Sequence, residues 1–552
     1  MIGVLAHESE NAVISEFFEL FKTPWEFYRA GAHYDVLICS ETSLPKNSAK
    51  LVLIYGDKPT AFDNEHKIGI TGARSPRILV GKEDRIPIYG RSATLDGSGD
   101  PVLKDEKTFE PAAMEFRFQG QKIIRLGFNL FFEIEHLLRQ GQPTAYAAIP
   151  TLDLHIALLR NAIIDCALLL AEVPPLPANY NFIVCLTHDV DHAGIRHHKC
   201  DHTIIGFLFR ATVGSLINLC RGRTSIRHAA ANWMAAFSLP LIYLGWLKDF
   251  WSRFDRYLDL EKDLTSTFYI VPKKGTPGDQ SLRATHWKRA TKYDVTDIPE
   301  QIERLTAAGR EIGLHGLDAW CDSKKAKSEL ETIAAATGEQ EIGVRMHWLY
   351  FNENSPGVLD RSGFSYDSTI GYNETVGYRA GTAQIFKPLD AARMLELPMH
   401  VMDTALFYPQ HMNLSPKEAR STLMNLAKIT SRVGGVLTIN WHDRSIAPER
   451  LWTETYVGLI EELKRGGAWF ATAKDAVSWF RKRRSVTFEV VPCAEAPNRI
   501  RTNALPSNDK SPALRLRIYN SGSHAEAHAN RSRFVETTFS KSDDVVAVAS
   551  AA

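Results

Sequence analysis

The chain has 552 residues, of which 44% are hydrophobic and 23% are charged, and its formal net charge is +1. This length predicts two to three domains, and the composition is ordinary for a globular protein. A charge so close to zero gives no reason to expect a nucleic acid or a strongly acidic partner.

The cysteine pattern and the first residues bear on the compartment. The seven cysteines are scattered and contain no Cys-x-x-Cys pair. This argues for a reducing compartment and against a disulfide framework or a thiolate zinc site. The first seven residues lack a basic segment followed by an apolar one, so no signal peptide is expected. A cytoplasmic location is therefore predicted, with the inner membrane surface as an alternative.

Residues 1 to 150 alternate between strand-like and helix-like segments. Helical periodicity covers 12–21, and apolar runs predict three short buried strands at 2–5, 35–39 and 51–54. The segment contains neither GxGxxG nor a GxxxxGK phosphate loop, so we assign it no nucleotide site. With helical spacing at 128–140 and 152–172, this predicts a small N-terminal α/β domain with a helical linker over 1–175.

Three prolines, Pro174, Pro175 and Pro177, mark a boundary, after which strand and helix alternate up to residue 484. The candidate strands are 182–187, 265–271, 310–315, 341–346, 363–367, 394–398, 436–441 and 468–471. Alternating strands and helices predict a parallel sheet. Seven or eight such units over roughly 300 residues predict a (β/α)7-8 barrel over 180–484.

The segment 192–262 is too long for one crossover and is predicted to be a helical insertion in the barrel. Its longest apolar run, 237–246, has about ten residues and is well short of the ~18 of a membrane span. A buried or partner-facing helix is predicted there, and peripheral membrane contact through 203–252 is the alternative.

The C-terminal part of the chain continues past the predicted barrel. A short β extension is predicted over 485–520 from two apolar, strand-like segments. Residues 521–552 are rich in Ser, Ala and His and poor in large apolar side chains, so they are predicted to form a disordered tail.

Side chains capable of chemistry follow strand after strand in the predicted barrel, where the C-terminal strand ends carry functional residues. They are Asp189, Asp191, His315, Arg345, His347, Asp367, His400, Asp403, His442 and Asp443. Asp189 and Asp191 leave the apolar run 182–186, and an unpaired buried charge costs several kcal/mol. Two acids at this place therefore indicate metal binding, proton transfer, or both.

Several of these motifs resemble those of polysaccharide deacetylases, the NodB-homology or carbohydrate esterase family 4 group. They are Thr187-His188-Asp189-Val190-Asp191, Glu311-Ile312-Gly313-Leu314-His315-Gly316 and Ile439-Asn440-Trp441-His442. The stretch 343–382 is similar to a bacterial subgroup of that superfamily through Arg345-Met346-His347, Tyr366-Asp367-Ser368-Thr369 and Tyr378-Arg379-Ala380-Gly381-Thr382. The resemblance covers roughly 180 to 480 and implies a deacetylase-type barrel.

The resemblance also implies roles for individual residues. Asp189 would be the general base that activates water, and Arg345 would pair with it and keep it ionised. His442 would protonate the leaving amine. A divalent metal, usually zinc, would be held by an acid and histidines and would polarise an N-acetyl carbonyl.

This chain departs from the common first motif, in which the two acids are adjacent. Here Val190 separates them, and in such Asp-x-Asp variants the metal role passes to the second acid, so we assign it to Asp191. The common second motif is His-x-x-x-His, but the residue four positions after His315 is Ala319. One Asp and one His alone leave a metal short of ligands.

His347 is the predicted second histidine because it ends the strand after that of His315. His188 and His400 are weaker alternatives. A site of one Asp and two His with water suits zinc, while cobalt, nickel and iron stay open.

Other polar residues have two interpretations each. Asp403, Arg379 and Asp367 are predicted to contact substrate, and the alternative is that they brace loops or turns. A histidine-rich stretch after Asp191 is predicted to be a solvated loop, with a second metal site as the alternative; it contains His192, His197, His198, Cys200 and His202.

The predicted function is removal of an acetyl group from an N-acetylated sugar by a metal-dependent hydrolase, with a carbohydrate partner. One alternative keeps the metal but cleaves a non-sugar C–N bond. Another is a degenerate barrel that binds glycan or scaffolds surface-polysaccharide assembly. The missing export signal favours a lipid-linked or nucleotide-linked intermediate over a finished polymer. The oligomeric state stays open.

Overall fold

The computed structural model describes two compact units. The described residues are 1–81, 85–118, 120–199, 201–222, 224–252, 254–278, 290–450, 452–491, 499–503, 511–519, 534–539 and 544–546. The first unit comprises Met1–Asn179, Tyr378–Leu389 and Ser478–Ala552, and the second comprises Tyr180–Gly377 and Asp390–Val477.

The first unit is built on a mixed sheet. In spatial order its strands are Trp25–Phe27, Ile2–Leu5, Val36–Cys39, Leu51–Tyr55, Gln121–Leu126, Pro111–Phe118, Asp100–Asp105, Arg77–Val80 and Arg85–Ile88. The first five run parallel and the others pair antiparallel. The helices of this unit are Asn11–Phe21, Ala61–Glu65, Leu130–Arg139 and Thr151–Ile164. The predicted strands at 2–5, 35–39 and 51–54 and the helix at 12–21 are present.

Three smaller sheets complete the described part of the first unit. Gly69–Arg74 pairs with Ser92–Asp96. One three-stranded sheet contains Leu170–Glu172, Leu514–Tyr519 and Phe534–Phe539, and the other contains Thr487–Val491, Arg499–Asn503 and Asp544–Val546.

Two of these strands lie in the predicted disordered tail. Phe534–Phe539 pairs antiparallel with Leu514–Tyr519 along its whole length, and Asp544–Val546 pairs with Arg499–Asn503. The prediction of disorder is wrong for these two stretches, because β-forming residues such as Val535, Thr537 and Thr538 find partner strands far away in sequence. The rest of 521–552 lies outside the described residues.

The second unit is an all-parallel, curled sheet surrounded by helices. Its strands are β1 (Phe182–Val190), β2 (Ser266–Ile270), β3 (Glu311–Gly316), β4 (Val344–Met346), β5 (Tyr366–Asp367), β6 (Leu395–Glu396), β7 (Val401–Met402), β8 (Val436–Asn440) and β9 (Ala468–Phe470). The spatial order is β6-β5-β4-β3-β2-β1-β8-β7, and β9 pairs with β1. The predicted parallel α/β arrangement is confirmed.

The short chain between β6 and β7 links the two edges of this sheet. Leu397 N–H donates to the Asp367 carbonyl at one edge, at 2.8 Å, and His400 N–H donates to the Thr438 carbonyl near the other, at 3.1 Å. These bonds satisfy backbone groups that an open sheet would leave unpaired. The sheet is thereby curled towards a barrel, with all C-terminal strand ends at one rim.

Helices pack around this sheet. They are Pro299–Ala307, Ser323–Thr337, Ser355–Ser362, Asp403–Phe407, Pro416–Val433 and Thr453–Arg465, followed by Ala473–Arg484, which begins in the second unit and ends in the first. Ser415 forms a capping box with Glu418, and Pro416 occupies the first helical turn.

The predicted insertion is helical. It contains His202–Phe209, the π-helical stretch Arg210–Gly214, Ser215–Cys220, Ile226–Tyr243 and Phe254–Leu260. Of the predicted buried or partner-facing helix over 237–246, which ends at Tyr243, the buried alternative is wrong for several side chains, since Phe237, Leu244 and Trp246 are among the most exposed large apolar residues of the described chain. The partner-facing alternative stays a prediction.

Candidate metal centre and active site

The C-terminal end of β1 determines where the side chains of Asp189 and Asp191 point. All nine residues of this strand are buried between β2 and β8, and the Tyr293 hydroxyl donates to the Val190 carbonyl. Successive side chains of a strand point to opposite faces, so residues two apart share a face. Asp189 and Asp191 therefore point to the same side, and Val190 between them is the spacing that allows this.

Asp189 is held at both carboxylate oxygens. Arg345 Nη1 donates to Oδ1 at 3.0 Å, and Asn440 Nδ2 donates to Oδ2 at 2.7 Å. Burial would raise the pKa of Asp189, but the Arg345 guanidinium, with His315 and His442 nearby, outweighs burial and lowers that pKa. Asp189 is consequently an ionised carboxylate with a fixed orientation.

Arg345 is itself fixed on every side. Its Nη1 also donates to Thr187 Oγ1 at 2.7 Å, and its Nε and Nη2 donate to the carbonyl and hydroxyl of Ser368 at 3.0 and 2.8 Å. The guanidinium lies 4.5 Å from the ring centroid of Tyr269. A fully buried cation with this many donors satisfied is stable only beside a carboxylate, which Asp189 supplies.

Asp191, His315 and His347 form a cluster of potential metal ligands, each contributing one ligand atom within 4.8 Å of the others. His315 Nε2 lies 3.3 Å and His347 Nε2 lies 3.6 Å from Asp191 Oδ1. Among the described residues, no other group of three or more His, Cys, Asp or Glu side chains is arranged to hold a metal ion. The two histidines come from neighbouring strand ends, since His315 lies in β3 and His347 follows β4 directly.

The hydrogen bonds around this cluster suit a cation at its centre. His315 Nδ1 lies 3.1 Å from the Arg345 carbonyl, which can only accept, so Nδ1 carries the proton and Nε2 offers a lone pair. Asp191 Oδ1 is buried and lies 3.3 Å from His315 Nε2. An approach this close needs a positive charge between the two atoms, either a bound metal ion or a proton on Nε2.

The protonation states of His347 and Asp191 also suit the binding of a metal ion. Burial lowers the pKa of His347 to about 4, so its imidazole is neutral near pH 7. Burial acts to raise the pKa of Asp191, but the surrounding histidines outweigh burial and hold that pKa well below its usual range. An ionised carboxylate and neutral imidazoles are the forms that bind a divalent metal.

His442 faces the cluster from the opposite side. Its Nε2 lies 3.9 Å from Asp191 Oδ2, and its Nδ1 lies 2.6 Å from Asp403 Oδ1. The backbone N–H of His442 also donates to Asp403 Oδ2 at 2.7 Å. Burial would lower the pKa of His442, but the Asp403 carboxylate outweighs burial and raises that pKa to about 10. His442 is therefore an imidazolium near neutral pH.

The three residues predicted to contact substrate, Asp403, Asp367 and Arg379, all make contacts within the protein. Asp403 is fully buried and orients His442, so it acts through that residue and does not face a ligand. Asp367 is also fully buried, beside Glu396 on the neighbouring strand. Arg379 belongs to the first unit, where its carbonyl accepts from Gln142 N–H. Direct substrate contact by these residues stays a prediction, and the burial of the Asp403 and Asp367 carboxylates favours the alternative that they brace neighbouring residues.

The alternative metal ligands have their nitrogens occupied. His188 points away from the cluster, with Nδ1 at 2.8 Å from the Trp441 carbonyl and Nε2 at 3.0 Å from Glu261. His400 Nδ1 accepts from Thr438 N–H.

The histidine-rich stretch is a hydrogen-bonded chain. His192 Nδ1 lies 3.0 Å from His198 Nε2, and His198 Nδ1 lies 2.7 Å from Asp201. His198 is buried, so the prediction of a solvated loop is wrong at this residue. Cys200 lies outside the described residues.

Sequence reasoning missed the residues that orient the site. Asn440, Thr187 and Ser368 hold Asp189 and Arg345 through hydrogen bonds. The available signal was a polar residue inside a buried strand, because an amide such as that of Asn440 is buried only with a partner.

Comparisons with known proteins give structural neighbours only. Neither a known family profile nor a curated protein matches the chain. A protein assigned as a polysaccharide deacetylase from Mycobacterium smegmatis is 19% identical over 56% of this chain and 95% of its own, with a TM-score of 0.35. An allantoinase, PuuE, is 18% identical over 55% and 92%, with a TM-score of 0.34. A further protein assigned as a polysaccharide deacetylase, from Pseudomonas aeruginosa PAO1, is 17% identical over 56% and 94%, with a TM-score of 0.34. Because these TM-scores lie below 0.5, the function is inferred from the residues of the site.

Proposed function

We propose that the second unit is a metal-dependent hydrolase of an amide C–N bond, and that its substrate is an N-acetylated sugar. The single observation that carries this proposal is the placement of an ionised carboxylate, Asp189, and an imidazolium, His442, around the cluster of Asp191, His315 and His347. A base and an acid on either side of a metal site are what amide hydrolysis needs.

The cluster would hold one divalent metal, with zinc as the first candidate for one carboxylate and two imidazoles. When bound, the metal supplies a Lewis acid that polarises the scissile carbonyl. The chain's own contribution is to keep Asp191 ionised, His347 neutral and His315 in the tautomer with a free Nε2.

Asp189 would act as the general base. Arg345 keeps it ionised, and Asn440 fixes its second oxygen, so the carboxylate is both charged and oriented before substrate arrives. It would take a proton from the attacking water. The cost of holding this charge in a buried site is offset by the same two contacts.

His442 would act as the general acid. Its proton is retained near neutral pH because Asp403 stabilises the imidazolium. It would donate this proton from Nε2 to the leaving amine, which otherwise departs as a poor leaving group. A positioned acid of this kind contributes roughly 10²- to 10⁴-fold in rate.

The sugar substrate rests on the resemblance of the motifs to those of polysaccharide deacetylases. The same chemistry would cleave a non-sugar amide. Because the Asp-x-Asp spacing and His347 as second histidine depart from the common deacetylase motifs, that substrate is the first alternative. A third alternative is a degenerate barrel that binds glycan without turnover. Metal content and a substrate panel separate the three.

The test is an assay of purified, metal-loaded protein on N-acetylhexosamines in free, nucleotide-linked, lipid-linked and polymeric form, together with non-sugar amides. Acetate and free amine are measured in parallel. We expect acetate release that is lost in chelator and reduced by about 10²- to 10⁴-fold in Asp189→Asn, with metal content unchanged. Amine release from the non-sugar amides alone would show that the substrate is a non-sugar amide and not an N-acetylated sugar. A metal-loaded protein that is inert on the whole panel would contradict catalysis.

A further inference from the structure

The exposed apolar side chains of this protein are concentrated in one place. Of 23 exposed large hydrophobic residues in the described part of the chain, 15 lie between residues 205 and 247. Ile226 is 75% exposed, Phe237 78% and Trp246 74%. Single exposed hydrophobic residues are ordinary on a protein surface, but a continuous group of this size marks an interaction site.

This group lies on a folded helical segment, called the hairpin here and defined as residues 202–248, in which two helical arms are followed by a short turn after Tyr243. The two arms are joined by hydrogen bonds, from Asn232 Nδ2 to Ser215 Oγ at 2.7 Å and from Trp233 Nε1 to the Thr212 carbonyl at 3.3 Å. The inner face of the hairpin is packed in a core cluster that includes Phe207, Leu239 and Trp251. The inner face is therefore already covered by protein. The exposed apolar side chains form a second set, on the outer face.

A helix that faces water normally has a polar outer face, and this hairpin does not. On the first arm the exposed side chains include Ile205, Phe209 and Leu216, and on the second arm they include Met234 and Phe237. The first arm, His202–Cys220, is also the helix in the described part of the chain that is long and apolar enough to cross a membrane.

The charges around the hairpin define its partner. Residues 202–248 contain no Asp or Glu, although 64 acids in 552 residues would give about five in a segment of this length. Arg210, Arg221, Arg227 and Lys248 are exposed beside the apolar face. Apolar and aromatic side chains interspersed with cations, on a segment that itself contains no acid, match the boundary between hydrocarbon and anionic headgroups.

Two other arrangements fit less well. A membrane-spanning arm would have to expose Ile204, Phe207 and Ala211 to lipid, but these side chains are buried in the protein. A symmetric pair of hairpins from two copies of the chain would bring the same arginines together without a nearby acid, and like charges oppose such an interface.

We propose that the hairpin binds in the plane of a membrane surface that contains anionic lipids, with Phe237, Trp246 and the exposed residues of the first arm in the acyl boundary. The hairpin lies in the same unit as the candidate site and begins at His202, shortly after Asp191 in sequence. Membrane binding does not depend on the proposed catalysis, because it needs neither metal nor substrate.

The experiment is flotation of the full-length protein with vesicles of phosphatidylcholine alone and of phosphatidylcholine with 30% phosphatidylglycerol, with size-exclusion light scattering in parallel. Wild-type protein should float with the anionic vesicles, and the Trp fluorescence should shift to shorter wavelength. The double variant Phe237→Glu and Trp246→Glu should lose at least about tenfold in vesicle affinity, since each ring buries an apolar area. Arg221→Glu with Arg227→Glu should weaken binding to anionic vesicles and reduce its salt dependence.

Phe109→Glu is the matched control, because Phe109 is 70% exposed but lies in the first unit. It should float as the wild type does. Circular dichroism of each variant checks that it is folded. Wild-type protein that stays unbound by both vesicle types would overturn the proposal. So would a stable dimer that Phe237→Glu dissociates without any change in vesicle binding, since the face would then be covered by a second copy.

Discussion

At the scale of single residues, two carboxylates two positions apart have different surroundings. Both oxygens of Asp189 accept hydrogen bonds from buried donors, Arg345 and Asn440. Asp191 Oδ1 instead faces two imidazole nitrogens, at 3.3 and 3.6 Å. The first arrangement fits a base with a fixed charge, and the second fits a ligand that awaits a cation. This division follows from contacts made by other strands and not from the motif itself.

The pair of His442 and Asp403 gives a prediction on pH dependence. The folded-state pKa of His442 is raised to about 10, so the imidazolium is present near neutral pH and is lost as the pH rises towards 10. In Asp403→Asn the stabilising charge is absent, and the pKa of His442 should fall. We expect the alkaline limb of the kcat profile to move to lower pH in this variant. An NMR titration of His442 measures the same pKa directly, and an unchanged value would contradict the assigned role of Asp403.

The sequence indicated most chemically active residues and, through the family resemblance, the pairing of Arg345 with Asp189, but not their other partners. Asp189, Asp191, His315, His347 and His442 stand at strand ends, and a barrel brings strand ends together. The contact of His442 with Asp403 joins two strand ends that are neighbours only because β7 lies beside β8. Such pairings depend on the register of distant strands, which a local pattern does not contain.

At the scale of elements, β5 and β6 meet through a buried pair of acids. Asp367 and Glu396 are register partners on these parallel strands, and both are fully buried. Burial and the neighbouring Asp367 raise the pKa of Glu396 well above its usual range, and burial raises the pKa of Asp367 to about 6. One proton is therefore shared between the two carboxyl groups near neutral pH.

This pair predicts how stability depends on pH. An acid whose folded-state pKa is raised stabilises the fold below its unfolded value of about 4 and destabilises it progressively as pH rises above that value. Glu396→Gln keeps an acceptor for Ile370 N–H and a donor for Asp367 without a titrating group. We expect it to gain about 1–3 kcal/mol of unfolding free energy over wild type at pH 7, and much less at pH 4.

Urea unfolding at both pH values measures this difference, with the exposed Glu374→Gln as control. Equal effects of Glu396→Gln at pH 4 and pH 7 would show that the two acids do not share a proton in the folded protein.

The elements themselves were largely predictable in the barrel and less so elsewhere. Each predicted strand of the second unit is present with its ends shifted by a few residues, because buried parallel strands are continuous apolar runs. The two-residue β7 was not among the predicted strands. In the first unit several antiparallel strands between 69 and 118 contain glycine or proline, such as Gly72, Pro87 and Pro101, and these residues weaken a strand pattern.

At the scale of the whole molecule, the two units are interleaved along the chain. Residues 378–389 lie within the sequence of the predicted barrel but belong to the first unit. Asp153 holds them there, because its carboxylate accepts from the Thr382 hydroxyl, Ala383 N–H and Gln384 Nε2 at 2.9 to 3.1 Å. Nothing in the local sequence distinguishes this segment from the barrel residues on either side.

The measurement that tests the account most directly is the metal content of the purified protein by elemental analysis, with the melting temperature recorded before and after chelation. The account predicts about one divalent metal per chain, a lower melting temperature after chelation, and loss of the metal in Asp191→Ala and in His347→Ala. His411→Ala should retain it, since His411 Nδ1 lies 3.1 Å from the Thr404 carbonyl outside the cluster. A wild-type protein that binds no metal, or a His347→Ala variant that binds it as well as wild type, would contradict the assigned centre.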